Sequence, residues 1–184
     1  MVIVFIGPPG SGKGTQAQIL KDTKLPNLHI LTVSSLLKDK SNDGSLLGDE
    51  IKNKMDNGDL IEDTVVISVL KEKVESLKDE QILIDGFPRS STQALALKDI
   101  FYDNAINVIN FTVSDDELLQ RIKKRSQEES RADDSVFEKR LGIYKQSHTE
   151  ITNSLSEFYE VINIDANNEI PLISQKIIEK LSIN

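Results

Sequence analysis

The chain has 184 residues, a formal net charge of −8 and no cysteine. That length holds one domain, or one domain with small excursions. The acidic balance excludes a general nucleic-acid binder, which needs a basic face, and the missing cysteine excludes disulfides, a cysteine zinc site and a thiol nucleophile. No stretch approaches the roughly 20 apolar residues that span a bilayer. The opening apolar run is too short for a leader and lacks its basic flank and cleavage site, so a cytoplasmic protein without a membrane partner is expected.

In chain order, residues 2–6 are a continuous apolar run, as a strand covered on both faces requires. Gly7-Pro8-Pro9-Gly10-Ser11-Gly12-Lys13-Gly14-Thr15 follows, and Gln16 to Leu20 and beyond reads as a helix. Strand, glycine-rich turn and helix in that order form a phosphate cradle. Backbone N–H groups of the turn and of the helix N-terminus point at anionic oxygens, and the lysine adds a mobile positive charge. Gly10, Ser11, Gly12, Lys13, Gly14 and Thr15 are therefore the candidate donor-nucleotide residues. The general pattern places a hydroxyl directly after the lysine; here Gly14 intervenes and the hydroxyl is Thr15.

A second strand is expected at 28–32. From 34 to 62 the rhythm breaks into two short helical patterns, around 35–40 and 46–57, with a stop at Asn57-Gly58 that resembles a helix C-cap. The thin apolar content of this stretch predicts a small helical subdomain, weakly anchored and suited to hinged motion. The third strand, at 82–85, ends in Asp85 and runs into Gly86-Phe87-Pro88-Arg89. An acid at the carboxyl end of a strand beside a phosphate loop suits a ligand of Mg²⁺-bound water; the alternative is a carboxylate that merely caps an Asp-Gly turn.

A fourth strand is expected at 108–113. It contains the triplet Asn110-Phe111-Thr112, whose place in a strand argues against glycosylation. Ser114 and Glu117 make a capping box, opening a helix with Leu118, Leu119 and Ile122 on its apolar side. Another helix begins near Asp133-Asp134 and carries Val136, Phe137, Leu141 and Tyr144. A fifth strand at 161–164 and a C-terminal helix bearing Ile173, Ile177 and Leu181 complete the pattern. Apolar strands alternating with helices predict an α/β fold: three layers, α/β/α, around a five-stranded parallel sheet.

Only five of the 22 basic residues are arginines: Arg89, Arg121, Arg125, Arg131 and Arg140. Lysine suffices for solubility, so scarce arginines mark sites that need a planar, bidentate cation. Arg121 and Arg125 share a helix face; the competing reading is a solvated basic stripe with Lys123 and Lys124. Converging guanidinium groups are what phosphoryl transfer demands, because negative charge must be held as it moves between phosphates. His29 and His148 sit in no motif that needs an imidazole and are read as structural.

These blocks resemble the adenylate kinases among the nucleoside monophosphate kinases. The resemblance rests on Gly-Lys-Gly-Thr at 12–15 and on Asp85 to Arg89 with Gln93. It also rests on the pair Arg121 and Arg125, on Arg131-Ala132-Asp133-Asp134 with Lys139-Arg140-Leu141, and on Gly58-Asp59-Leu60-Ile61. It implies a core of residues 1–31, 64–124 and 132–184, a monophosphate-binding subdomain at about 32–63, and a very short lid at about 125–131. The implied reaction is reversible phosphoryl transfer from MgATP to AMP giving two ADP, by a monomer serving nucleotide biosynthesis. Lys13, Arg89, Arg125, Arg131 and Arg140 would be catalytic, with Arg121 and Arg125 on ATP and Asp85 on Mg²⁺ through water. AMP would meet Val33, Lys38, Asp59, Leu60, Ile61, Gly86, Phe87, Pro88, Arg89, Gln93, Arg131 and Arg140.

Two departures stand out. Lys38 takes the place of the family's acceptor-gripping arginine, and Ser35 that of a carboxylate near the metal waters. The short lid is also shared with the uridylate–cytidylate kinases and cannot be a zinc lid. A UMP or CMP acceptor, and a relative that binds without catalysis, therefore stay open. Asn53-Lys54-Met55-Asp56 spells the guanine-reading motif of P-loop GTPases, but it falls in an early helical pattern, and Asp85-Gly86-Phe87-Pro88 lacks the glycine a switch would use.

Overall fold

Each apolar run forms a strand: β1 Val2–Ile6, β2 Leu28–Thr32, β3 Gln81–Asp85, β4 Ile106–Thr112 and β5 Val161–Asp165. The computed structural model describes residues 1–183 except 58–60, 78–79, 103–104 and 129–136, and describes backbone alone at 125–128 and 138–140. All pairings are parallel, in the order β2-β3-β1-β4-β5. Register explains why the strand ends differ from the apolar runs. Val2 pairs with Ile82 and Ile106, which draws β4 back past Val108 to Ile106. The last pair on the other flank is Thr112 with Asp165, so Val113 falls outside β4 and Asp165 inside β5.

Eight helices connect and cover the strands among the described residues: α1 Lys13–Thr23, α2 Val33–Ser41, α3 Leu46–Asn57, α4 Asp63–Glu75, α5 Ser91–Phe101, α6 Asp115–Glu128, α7 Phe137–Ser156 and α8 Ile170–Lys180. The pleat of β1 divides the core. Ile3 and Phe5 pack with Leu20, Ile173 and Ile177 beneath α1 and α8. Val2, Val4 and Ile6 pack with Val66, Leu70, Leu97 and Leu155 beneath α4, α5 and α7. Every residue of β1 is buried, which is why its sequence is apolar without alternation. The result is the three-layer α/β/α arrangement.

In α6 only half of the expected capping box forms: Ser114 Oγ accepts the Glu117 N–H at 3.4 Å, but the Ser114 N–H donates to Asn167 Oδ1 at 3.0 Å while the Glu117 carboxylate pairs with Arg121. Three acids in the first turn complement the helix dipole. Leu118 and Ile122 pack against Phe137. Leu119, expected on the same side, is 40 % exposed; one residue adds about 100° of rotation and carries it off the face that its neighbours share. The next helix is described from Phe137, so its expected start near Asp133 and Val136 lies outside the described residues. On α7, Tyr144 stacks on His148 with its hydroxyl 2.8 Å from Nδ1. Burial holds that imidazole below its ordinary pKa.

The stretch expected to be thinly apolar sends Val33, Leu37 and Ile51 into the same cluster as α4. Its two helices meet at Gly48. A Cβ there would stand 2.4 Å from the Lys40 carbonyl oxygen and 2.6 Å from Asp43 Oδ1. Asp43 is fixed in that junction: the Ser45 hydroxyl and N–H, with Lys40, hold its carboxyl down to about 2. Lys40 also reaches Glu72 on α4 at 2.9 Å. Gly48→Ala should therefore force α2 and α3 apart and destabilise the chain by about 1–3 kcal/mol. Urea unfolding followed by circular dichroism reads this, and an unchanged midpoint would contradict the close contact.

The sheet order also places the candidate site. From β1 the chain crosses to α1 on one face, and from the adjacent β3 it crosses to α5 on the other. Chains that part in this way leave a crevice beyond the strands' carboxyl ends, where α/β proteins bind ligands.

Candidate active site

The phosphate loop follows the carboxyl end of β1, next to that of β3. Gly7, Gly10 and Gly12 have φ of 145°, 82° and 92°, and at Gly7 a Cβ would come within 2.8 Å of Phe111 Cβ, so the loop closes only with glycine there. No side chain caps α1, and Gly14 and Thr15 are exposed, leaving the first-turn N–H groups to face an incoming anion. Lys13 Nζ lies over the loop, donating to the carbonyls of Gly7 and Pro8 at 2.9 Å each and to Ser11 Oγ at 3.3 Å. The buried Gln16 anchors α1 from below: its Nε2 donates to the Ile170 carbonyl at 3.0 Å and its Oε1 accepts from Ser174 at 2.6 Å.

Arg121 is no solvated stripe. Its Nη2 donates to the Ala166 carbonyl at 2.6 Å, its Nη1 reaches the Ser11 carbonyl at 3.5 Å, and its Nε pairs with Glu117 at 2.7 Å. The guanidinium thus lies between the phosphate loop and the turn after β5. Asp85 pairs in register with both Phe5 and Thr32, and a Cβ on Gly14 would stand 3.7 Å from its Oδ2. The acid at the end of β3 therefore sits beside the opening turn of α1. A single carboxylate with loop hydroxyls nearby fits a Mg²⁺ that keeps most of its waters and arrives with phosphates.

After Asp85 the chain turns through Gly86 to Arg89, whose Nε donates to the Gly86 carbonyl at 2.8 Å. Phe87 is fully buried and Pro88 is buried, so the Phe87 ring serves the core. Gln93, on α5, is 5 % exposed. Its Oε1 accepts the Arg89 N–H at 2.8 Å, and its Nε2 donates to Asp63 Oδ1 at 2.6 Å. Ser90 joins them, donating to Asp63 Oδ2 at 2.6 Å and accepting the Gln93 N–H at 3.1 Å. Asp63 and Ser90 are absent from the residues singled out by sequence. Ser90-x-x-Gln93 was a readable capping box, whereas nothing local marks Asp63.

On the acceptor side Val33 is buried, Ile61 is half-buried and Lys38 is exposed on α2. Ser35 accepts from Thr32 Oγ1 at 2.6 Å, directly beyond the strand end paired with Asp85. Asp59, Leu60 and Arg131, and the side chains of Arg125 and Arg140, lie outside the described residues. The Asn53 to Asp56 tetrapeptide is internal to α3, where Lys54 pairs with Glu50 and Glu62; it does not end a strand. Among the described residues no helix is long and apolar enough to cross a membrane.

A glycine-rich loop between the central strand and an uncapped helix, with a carboxylate at the end of the neighbouring strand, defines a P-loop nucleotide-binding fold. The adenylate kinase family model matches residues 5–164. The chain is 36 % identical over 168 residues to the adenylate kinase of Leptospira biflexa serovar Patoc, covering 88 % of this chain and 87 % of that one. It is 35 % identical over 189 residues to the adenylate kinase of Trichodesmium erythraeum (95 % and 94 %). With that of Maricaulis maris it shares 38 % over 150 residues (78 % and 79 %). The chain belongs to the adenylate kinase family.

Proposed function

We propose that this protein transfers the γ-phosphoryl group of MgATP reversibly to AMP, giving two ADP. Family membership supports this, and one observation carries it: the uncapped phosphate loop follows β1, while Asp85 and the Arg89 turn close the adjacent, paired β3, with Asp85 beside Gly14. An oxygen of the AMP phosphate attacks the γ-phosphorus while the bond to the β–γ bridging oxygen breaks, and ADP leaves. The attacking oxygen is already anionic, so no side-chain nucleophile or obligatory base is required. The work is positioning and charge stabilisation.

The N–H groups from Gly10 to Thr15 hold the donor's phosphates, and Lys13 bridges the β- and γ-phosphates. Arg121 takes the rest of the donor, and Asp85 orders waters of the Mg²⁺ that ATP brings, which neutralises phosphate charge. Arg89 grips the acceptor phosphate and Gln93 faces the acceptor base, with Lys38 as a weaker second clamp. Arg125, Arg131 and Arg140 gather around the transferred group. The subdomain at about 32–63 and the lid at about 125–131 close to keep water from the γ-phosphate. The protein acts as a cytoplasmic monomer.

A coupled assay with MgATP against AMP, GMP, CMP and UMP tests this reading. AMP should give the highest kcat/KM, and a preference for CMP or UMP would overturn the choice of acceptor.

A further inference from the structure

We propose that Asp63, the first residue of α4, sets the base specificity of the acceptor site by fixing the polarity of the Gln93 amide. The inference rests on the reading above that Gln93 faces the acceptor base. The Arg89 main-chain N–H can only donate, and it meets Gln93 Oε1 at 2.8 Å. A carboxylate can only accept, and Asp63 Oδ1 receives the Gln93 Nε2–H at 2.6 Å. Turning the amide over would set N–H against N–H and oxygen against carboxylate together, so one orientation is retained. Asp63 is itself held through Ser90, whose hydroxyl donates to Oδ2 at 2.6 Å while accepting the Gln93 N–H. Gln93 is only 5 % exposed, so water has little access to the amide itself.

Beyond these contacts the amide keeps one N–H and one oxygen lone pair. Because its ends cannot exchange, they come in a fixed order, the donor on the Asp63 side and the acceptor on the Arg89 side. A 6-aminopurine edge offers an acceptor at N1 beside a donor at N6, whereas a 6-oxopurine offers a donor at N1 beside an acceptor at O6. A fixed amide pairs with one of these edges and opposes the other. An amide free to turn serves both. Asp63 is thus a positioning residue, acting on the base only through Gln93.

Steady-state kinetics of the full chain with AMP and inosine monophosphate, which differ at position 6, test this under saturating MgATP. Asp63→Ala admits water, which can donate or accept, and Asp63→Asn supplies an amide that can do either. Relative to wild type, the AMP-over-IMP ratio of kcat/KM should fall about tenfold in Asp63→Ala and at least about threefold in Asp63→Asn, with KM for ATP unchanged. A purely structural role would lower both acceptors together and leave the ratio in place. A ratio within about twofold of wild type overturns the proposal; if Asp63→Ala does not fold, the shape-preserving Asp63→Asn decides. Wild-type turnover of AMP with unchanged variant ratios sinks this inference alone, whereas wild-type failure to use AMP sinks the functional reading beneath it.

Discussion

Lys13→Ala should lower kcat by about 10³-fold, the scale of losing one preorganised group that stabilises charge in a transition state. The expectation follows from where Nζ sits. Three contacts within the loop hold the ammonium over the phosphate cradle, and no described residue but Lys13 extends a cation from the loop itself. The fold should survive, because the loop shape is set by its glycines and by α1 packing through Ala17 and Leu20. Lys13→Arg should not restore turnover, since a guanidinium is broad and planar where the loop carbonyls hold a point charge. Turnover near wild type in the alanine variant, measured by a coupled assay on folded protein, would remove the phosphate loop from the chemistry.

Arg89→Ala should lower kcat/KM for AMP by about 10³-fold while KM for ATP moves little, by analogy with other arginines that hold phosphoryl-transfer charge. Its main chain is tied to Gln93 and its Nε to the Gly86 carbonyl, so the guanidinium plane is set before acceptor arrives. A preset fork gains more per hydrogen bond than a mobile ammonium, and Arg89→Lys should recover only a small part of the loss. Equal rises in KM for both nucleotides would instead mark Arg89 as a scaffold residue.

The sheet was legible because parallel strands covered on both faces must be continuously apolar, and β1 and β2 keep the bounds that their residues suggest. Strand ends elsewhere were not, since pairing partners far along the chain decide where β3, β4 and β5 begin or stop. The phosphate loop was legible for a local reason: strand, glycines, lysine and helix are consecutive. Arg121 lies against the phosphate loop and Asp85 beside the first turn of α1; their roles toward ATP and Mg²⁺ stay proposals. Asp63 was not legible, because its partners Ser90, which caps α5, and Gln93 on α5 are 27 and 30 residues away and only the tertiary fold brings them together. Leu119 shows the limit of counting apolar residues on a helix without knowing which way it faces.

The strand order has a consequence for how the chain is made. Among the five strands β1 leaves the ribosome first, yet it ends in the middle of the sheet, between β3 and β4. Its partners Ile82 and Ile106 follow much later, and until they emerge a wholly apolar segment has nowhere to hide. Nascent chains of this protein should therefore depend on chaperones that shield the opening segment until β3 and β4 are available.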